Sequence, residues 1–234
     1  MKILAVSDQV VGQLTASVTP ERFHDVDVIL SCGDLPLDYM EYLVTRIGKG
    51  TLFYVNGNHV QKQVLQTNGT FKTEAEGCIN IHRRIVNHKG LLIGGLEGSM
   101  EYNQGPHQYS ELHMRALARM MGPALLYNRL RYGRDVDIMI SHAAPRGIHD
   151  EPDRCHRGFR TFLRFMRRHR PLYWLHGHIH IYRPDTVRVT RYLDTTVVNA
   201  FEYQLIEIDE AELSRRRRRR LPDQDDTPTD QPGG

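Results

Sequence analysis

Short apolar runs, each cut off by a small or polar residue, recur along the chain. Ile3-Leu4-Ala5-Val6 ends in Ser7-Asp8-Gln9, and Val26 to Ser31 ends in Cys32-Gly33-Asp34. Thr51 to Val55 ends in Asn56-Gly57-Asn58-His59, and Val136 to Ile140 ends in Ser141-His142. Leu172 to Leu175 runs into His176-Gly177-His178-Ile179-His180. Continuous apolar runs of this length read as strands buried on both faces. Pro20 to Asp25 reads as a short helical or loop crossover. Leu37 to Ile47 has helical spacing, with Tyr39, Leu43 and Ile47 four apart and Tyr42 on the same face. Pro36 opens that helix, and Gly48 and Gly50 suit its end. Strand, crossover, strand, helix and strand in this order predict a largely parallel α/β sheet.

The middle of the chain is less regular. Ile79 to Ile81, Arg84 to Val86 and Leu91 to Ile93 are short candidate strands, read as a meander in a second sheet. Gly94 to Ser99 reads as a flexible loop, continuing through Tyr102 to His107 where it would overhang a site. Ser110 is the expected N-cap of a long helix. Its apolar stripe is Leu112, Ala116, Leu117, Met120, Met121, Ala124 and Leu125, and Gly122-Pro123 should kink or split it. Phe159 to His169 is a basic amphipathic helix stopped by Pro171. Val187 to Thr190, Thr196 to Asn199 and Tyr203 to Ile208 read as antiparallel strands closing the body. From about Glu210 the composition changes to an Arg run followed by an acidic, Pro-rich end, which is disordered by composition. The expected organisation is one domain over 1–209 and a tail over 210–234, without internal repeats.

Composition narrows the function classes. The 234 residues are 40% hydrophobic and 25% charged, with a formal net charge of +3. Arg215 to Arg220, offset by Asp223, Asp225, Asp226 and Asp230, carry most of that charge, so the body is close to neutral. Nothing global points to a nucleic-acid binder, and the Arg run reads as a solvated tail, leaving nucleic acid a partner that is not favoured. Cys32, Cys78 and Cys155 are scattered and give neither a disulfide framework nor a zinc knuckle. Cys32 reads as a small buried hydrophobe. The first apolar run is too short for a secretory core, and no run approaches membrane-spanning length. A cytoplasmic setting with no membrane partner is expected, and the sequon at Asn68-Gly69-Thr70 is discounted. Oligomeric state is not readable.

The strand ends carry the chemistry. They deliver Asp8, Asp34, Asn58, His59, His142, His178 and His180. Open α/β sheets bind ligands beyond the carboxyl ends of their strands. Mixed oxygen and imidazole donors there suit manganese, iron or zinc better than calcium or magnesium alone. Turn formation and capping explain any one of these Asp or Asn residues, but not the set.

In this order the motifs resemble the calcineurin-like metallophosphoesterase superfamily, whose pattern is D-x-H, G-D, G-N-H-[DE], a His after a strand, and G-H-x-H. The resemblance spans Asp8 to His180. It implies a four-layer α/β/β/α sandwich with two mixed sheets and two divalent metal ions at one edge. It implies that Asp34 bridges both ions, that Asp8 and His180 hold the first, and that Asn58, His142 and His178 hold the second. His59 would face the substrate phosphate as a catalytic residue. The implied activity is hydrolysis of a phosphomonoester or phosphodiester by attack of a metal-bound hydroxide, with a small phosphate ester as substrate. Ser141 to Asp150 also resembles the H-x-P-P-x-G-x-x-D stretch of a subgroup of small bacterial phosphoesterases.

Two positions depart from the pattern. Val10 stands where D-x-H has its histidine, and Val60 stands where the acid follows G-N-H. The first removes a ligand, and the second removes the partner that would orient His59. The alternative is therefore a non-catalytic or weakly active scaffold of the same fold. Among the other histidines, His24, His82, His88, His113 and His169 read as structural, and His176 as packing or supporting. His107, His149, His156, Arg146 and Arg157 sit on loops expected to border the site.

Overall fold

The computed structural model describes residues 1–15, 21–47, 51–59, 64–65, 69, 71–209 and 211. Two large sheets stack face to face. In the first, strand Lys2–Ser7 lies between Glu202–Glu207, antiparallel to it, and Val28–Ser31, parallel to it; Leu52–Tyr54 and Cys78–Asn80 continue in parallel. In the second, the order is Val189–Tyr192, Thr195–Asn199, Tyr173–His176, Ile138–Ser141, Leu91–Leu96 and Ile85–His88, with only the two outermost pairings antiparallel. Both sheets are mixed, as expected.

Side-chain alternation along the strands explains the layering. Ile3 and Ala5 join Val28, Leu30, Ile138, Ile140 and Leu175 in a core between the sheets. Their neighbours Leu4 and Val6 point the other way, against Tyr39, Met40 and Leu43 of helix Leu37–Arg46. Met139, Trp174 and Val197 likewise leave the second sheet on its outer face, against Met114, Leu117, Phe162 and Phe165. Period-two alternation thus puts one helical layer outside each sheet, giving α/β/β/α. Trp174 is fully buried, and its indole N–H donates to Ser141 Oγ at 2.8 Å; burying a side chain of this size contributes roughly 3 kcal/mol.

Helix ends follow local chemistry. Ser110 caps helix Glu111–Met120, its side chain accepting the His113 N–H at 3.2 Å. Gly122-Pro123 splits the long helix, and a second one, Gly122–Tyr132, begins there and ends at the left-handed Gly133. Helix Arg160–His169 has no capping side chain of its own. Glu111 supplies one, accepting the N–H groups of Arg160 at 3.0 Å and Thr161 at 2.7 Å.

The structure corrects several expectations. The segment around Ile79 pairs with Leu52–Tyr54 in the first sheet, not with a meander in the second; only Ile85–His88 and Leu91–Leu96 form a hairpin there. Gly94 and Gly95 are not loop residues but lie in the buried strand Leu91–Leu96. A Cβ on Gly94 would lie 2.7 Å from Met139 Sδ, and one on Gly95 2.7 Å from Val55 Cγ1. The closing strands Val189–Tyr192 and Glu202–Glu207 pair antiparallel as expected, and Thr195–Asn199 is antiparallel to the first of them but parallel to Tyr173–His176 on its other side. Leu112 and Met120 are 73% and 60% exposed, because Met114, Leu117, Met121 and Leu125 form the face that meets the sheet. Gly48, Gly50, Val60, Asn68, Thr70 and the tail over 212–234 lie outside the described residues. Among the described residues no helix is long and apolar enough to cross a membrane.

Candidate metal centre

The carboxyl ends of the parallel strands in both sheets meet at one edge of the sandwich. Lys2–Ser7 delivers Asp8, Val28–Ser31 delivers Asp34, and Leu52–Tyr54 leads to Asn58. Ile138–Ser141 delivers His142 from the other sheet, and Tyr173–His176 delivers His178 and His180. Asp8, Asp34 and His178 have φ of 65°, 55° and 67°, a conformation that turns the chain sharply at each strand end.

Glycines make room for the carboxylates. A Cβ on Gly57 would collide with the Asp34 carboxylate, and one on Gly177 with Ser7 Oγ and the Asp8 carboxylate. Gly33, at φ +103°, would bring a Cβ within 2.7 Å of His142 Nδ1. The Gly-Asp, Gly-Asn-His and Gly-His signatures therefore have a steric reason: the backbone of one motif packs on the ligand-type side chain of another.

His142 is the hub. It is fully buried, with Nδ1 donating to the Cys32 carbonyl at 2.9 Å, so Nε2 faces inward. That nitrogen lies 3.1 Å from Asp34 Oδ2 and 3.0 Å from Asn58 Oδ1. Asn58 Nδ2 donates to the Tyr102 hydroxyl at 3.2 Å, which fixes the amide oxygen toward His142. Asp34 Oδ1 accepts the His59 N–H at 2.8 Å, and the His59 side chain is exposed beside it. Both oxygens of Asp8 accept the His178 N–H, at 3.1 and 3.0 Å, and Asp8 Oδ1 lies 3.7 Å from His180 Nε2. The ligand atoms of Asp34, His142 and His178 all lie within 4.8 Å of one another.

The ionisation states follow from this packing. Burial would raise the Asp34 carboxyl, but the charge and hydrogen bond of His142 and the His59 N–H outweigh it and hold it at about 2. Burial would lower His142, but the charge of Asp34, its hydrogen bond and the more distant Asp8 lift it to about 9. Burial, assisted by the positive His142, pushes His178 down to about 3, leaving the neutral imidazole that a metal needs. The hydrogen bond to Asp8 raises His180 above its ordinary value.

The structure brings the side chains of Asp8, Asp34, Asn58, His142, His178 and His180 together, and His59 joins them through its backbone N–H. Of the loop residues expected to border it, only His156 does so, its ring centroid 5.1 Å from that of His178. His149 turns to His176 Nε2 at 3.0 Å and Thr190 Oγ1 at 2.8 Å. Arg146 pairs with Asp150 at 3.3 Å, and Arg157 donates to the Pro152 carbonyl at 3.1 Å. His107 binds Glu97 Oε1 at 3.0 Å. His176 is fully buried against His149, a packing role as expected.

Two site residues escaped the sequence reading. The Cys155 carbonyl lies 3.0 Å from His178 Nε2, with Sγ at 4.0 Å; a single cysteine in a polar loop gives no signal of this. Glu97 is buried and accepts the Tyr109 hydroxyl at 2.6 Å and Asn56 Nδ2 at 3.0 Å, pinning the turn that carries Asn58. Val10 is 46% exposed and offers no donor atom beside Asp8.

A family model for calcineurin-like phosphoesterases matches residues 1–182, and the chain belongs to that family. The family generally binds divalent metals and is generally hydrolytic. Among solved structures, the chain is similar to TT1561 of Thermus thermophilus, at 16% identity and a TM-score of 0.56, covering 92% of this chain and 95% of that one. It also matches phosphopantetheinyl hydrolase (PptH) from Mycobacterium tuberculosis, at 13% identity and a TM-score of 0.49, covering 99% and 98%. The likeness to TT1561 is one of fold. No curated protein matches the sequence.

Proposed function

We propose that the chain is a divalent-metal-dependent phosphoesterase that hydrolyses a small phosphomonoester or phosphodiester. The observation that carries this reading is the convergence of Asp8, Asp34, Asn58, His142, His178 and His180 on one edge, from both sheets. The donor set fits the group: carboxylate, amide oxygen and imidazole are the ligands of manganese, iron and zinc. Asp34, with one oxygen beside His142 and the other accepting the His59 N–H, would serve both ions. Asp8 and His180 would hold the first ion, and Asn58, His142 and His178 the second.

When bound, two such ions activate a water and neutralise charge on the phosphoryl oxygens. The side chains supply the rest. His59, exposed beside Asp34, meets the substrate phosphate and donates a hydrogen bond or a proton to the leaving oxygen. The Tyr102 hydroxyl holds the Asn58 amide in its ligating orientation. Buried His142 keeps its geometry through the Cys32 carbonyl.

A second reading rests on Val10. With an exposed valine where an imidazole would ligate, the first ion has Asp8, Asp34 and His180 alone, and a fold kept for binding would tolerate that. Metal analysis paired with turnover separates the two. The phosphoesterase takes up two ions per chain and hydrolyses bis-p-nitrophenyl phosphate or p-nitrophenyl phosphate with Mn²⁺. One ion or none, with no cleavage under any divalent metal, favours the scaffold.

A further inference from the structure

The outer helical layer of the second sheet holds an open groove of about 430 Å³ between helices Glu111–Met120, Gly122–Tyr132 and Arg160–His169, rimmed by the exposed Arg115, Arg119, Arg164 and Arg168. None of its lining residues belongs to the strand-end cluster. Arg115 and Arg119, four apart on the first helix, face Arg164 and Arg168, four apart on the third. Among the described residues none of these guanidinium groups has a hydrogen-bond or ion-pair partner.

The acids nearby are already engaged. Arg129, also in the wall, is held by both carboxylate oxygens of Asp135 at 2.8 and 2.5 Å, and the same carboxylate takes His169 Nδ1 at 2.6 Å. Glu111 spends its carboxylate on the start of helix Arg160–His169. Like charges four apart on one helix disfavour it, and two such pairs facing each other add to the cost. Nothing in the fold requires arginine here, since the packing face of these helices is Met114, Leu117, Phe162 and Phe165. Guanidinium forks match phosphate oxygens in pairs. The wall also includes Leu126, 55% exposed, and the buried Phe165, an apolar surface for the part of a ligand that is not phosphate. The volume is that of a small-molecule site.

We infer that this groove is a second binding site, separate from the strand-end cluster, for a small organic polyphosphate of the nucleoside di- or triphosphate class. The phosphates lie between the two arginine pairs and the organic part lies against Leu126.

The test is calorimetric titration of ATP into the full chain in EDTA, which silences metal-dependent binding at the strand-end cluster. One molecule per chain is expected, with affinity falling as salt rises. Arg119→Gln together with Arg164→Gln should weaken binding at least about tenfold, the loss of charge-assisted hydrogen bonds. The same pair should leave the ligand-free melting temperature unchanged or higher, because repulsion is relieved. Asp34→Asn should bind ATP as the unaltered chain does. Absence of saturable binding overturns the site. So does binding that survives the double substitution but disappears when Arg215 to Arg220 are changed to Gln. Oligonucleotide binding that tightens steadily with length, beyond that of ATP, overturns it in favour of a nucleic-acid surface.

Discussion

Asp34 and His142 meet across the gap between the two sheets, carboxylate Oδ2 3.1 Å from imidazole Nε2, the imidazole without exposed surface. Each sheet contributes one partner, so the contact exists only when both sheets have stacked. Asp34→Asn keeps the side-chain shape and removes the charge. It should lower Mn²⁺ affinity by more than the roughly 10–100-fold typical of losing a supporting group around a metal, and abolish phosphoesterase turnover. Equilibrium dialysis with metal analysis checks the first, and p-nitrophenyl phosphate assays the second. Unchanged metal content in the Asn variant would remove Asp34 from the ligand set.

Gly57→Ala should disturb the proposed metal centre although residue 57 is not among the proposed ligands. Its Cβ would fall on the Asp34 carboxylate and 2.8 Å from the Asp34 backbone nitrogen, so the carboxylate must leave its place. Metal content should drop while far-ultraviolet circular dichroism stays that of the folded chain. Full metal loading in the Ala variant would contradict the crowded packing described for this turn.

Val10→His adds an imidazole where the chain has an exposed apolar side chain. A ligand gained should tighten the weaker of two bound ions at least about tenfold, no less than a supporting group contributes. Competition with a chelating dye reads both affinities. Indistinguishable titration curves for the unaltered chain and the Val10→His variant would mean that the gap is filled by something else.

Acid should destabilise the fold through Glu97 and Asp135. Burial raises both carboxyls, but the hydrogen bonds of His107 and Tyr109 to Glu97, with the charge of His82, hold it at about 2. Arg129 and His169 hold Asp135 at about 2. Each folded pKa lies below its ordinary value, so the stabilisation is complete above about pH 4.5 for Glu97 and about pH 3.8 for Asp135. It is lost as pH falls toward 2. Glu97→Gln should cost about 1–3 kcal/mol at neutral pH, the penalty for unpairing buried groups, and flatten the acid limb of a urea-denaturation series. An acid limb as steep as that of the unaltered chain would exclude Glu97 as its source.

The fold was legible wherever burial on both faces produced a continuous apolar run, as at Ile3 to Val6 and Val136 to Ile140. At Cys78–Asn80 the strand was legible but not the sheet it joins, because it is an edge strand whose side chains are only partly covered. Gly94 and Gly95 were misread because the reason for glycine there lies in Met139, Val55 and Ile81, distant in sequence. The helix after Ser110 carries two overlapping stripes, and only the sheet decides that Met114, Leu117, Met121 and Leu125 turn inward. The cluster of strand-end residues could be read because strand ends place side chains by rule. Cys155 reaches the site along an irregular loop, where sequence spacing says little about position, and Glu97, at the end of strand Leu91–Leu96, was lost with Gly94 and Gly95 when that stretch was read as a loop.

The first strand, Lys2–Ser7, is paired along its whole length with Glu202–Glu207, and the Met1 amine donates to the Ile208 carbonyl at 2.8 Å. Asp8 leaves the end of that strand. During synthesis the opening strand must therefore wait, with one edge uncovered, until almost all of the described chain has emerged. Pairings of such long sequence separation form slowly. A nascent chain halted at residue 182, where the family match ends, would already contain Asp8, Asp34, Asn58, His142, His178 and His180. It would still lack the edge of the first sheet and two strands of the second, and so the frame that holds those residues together.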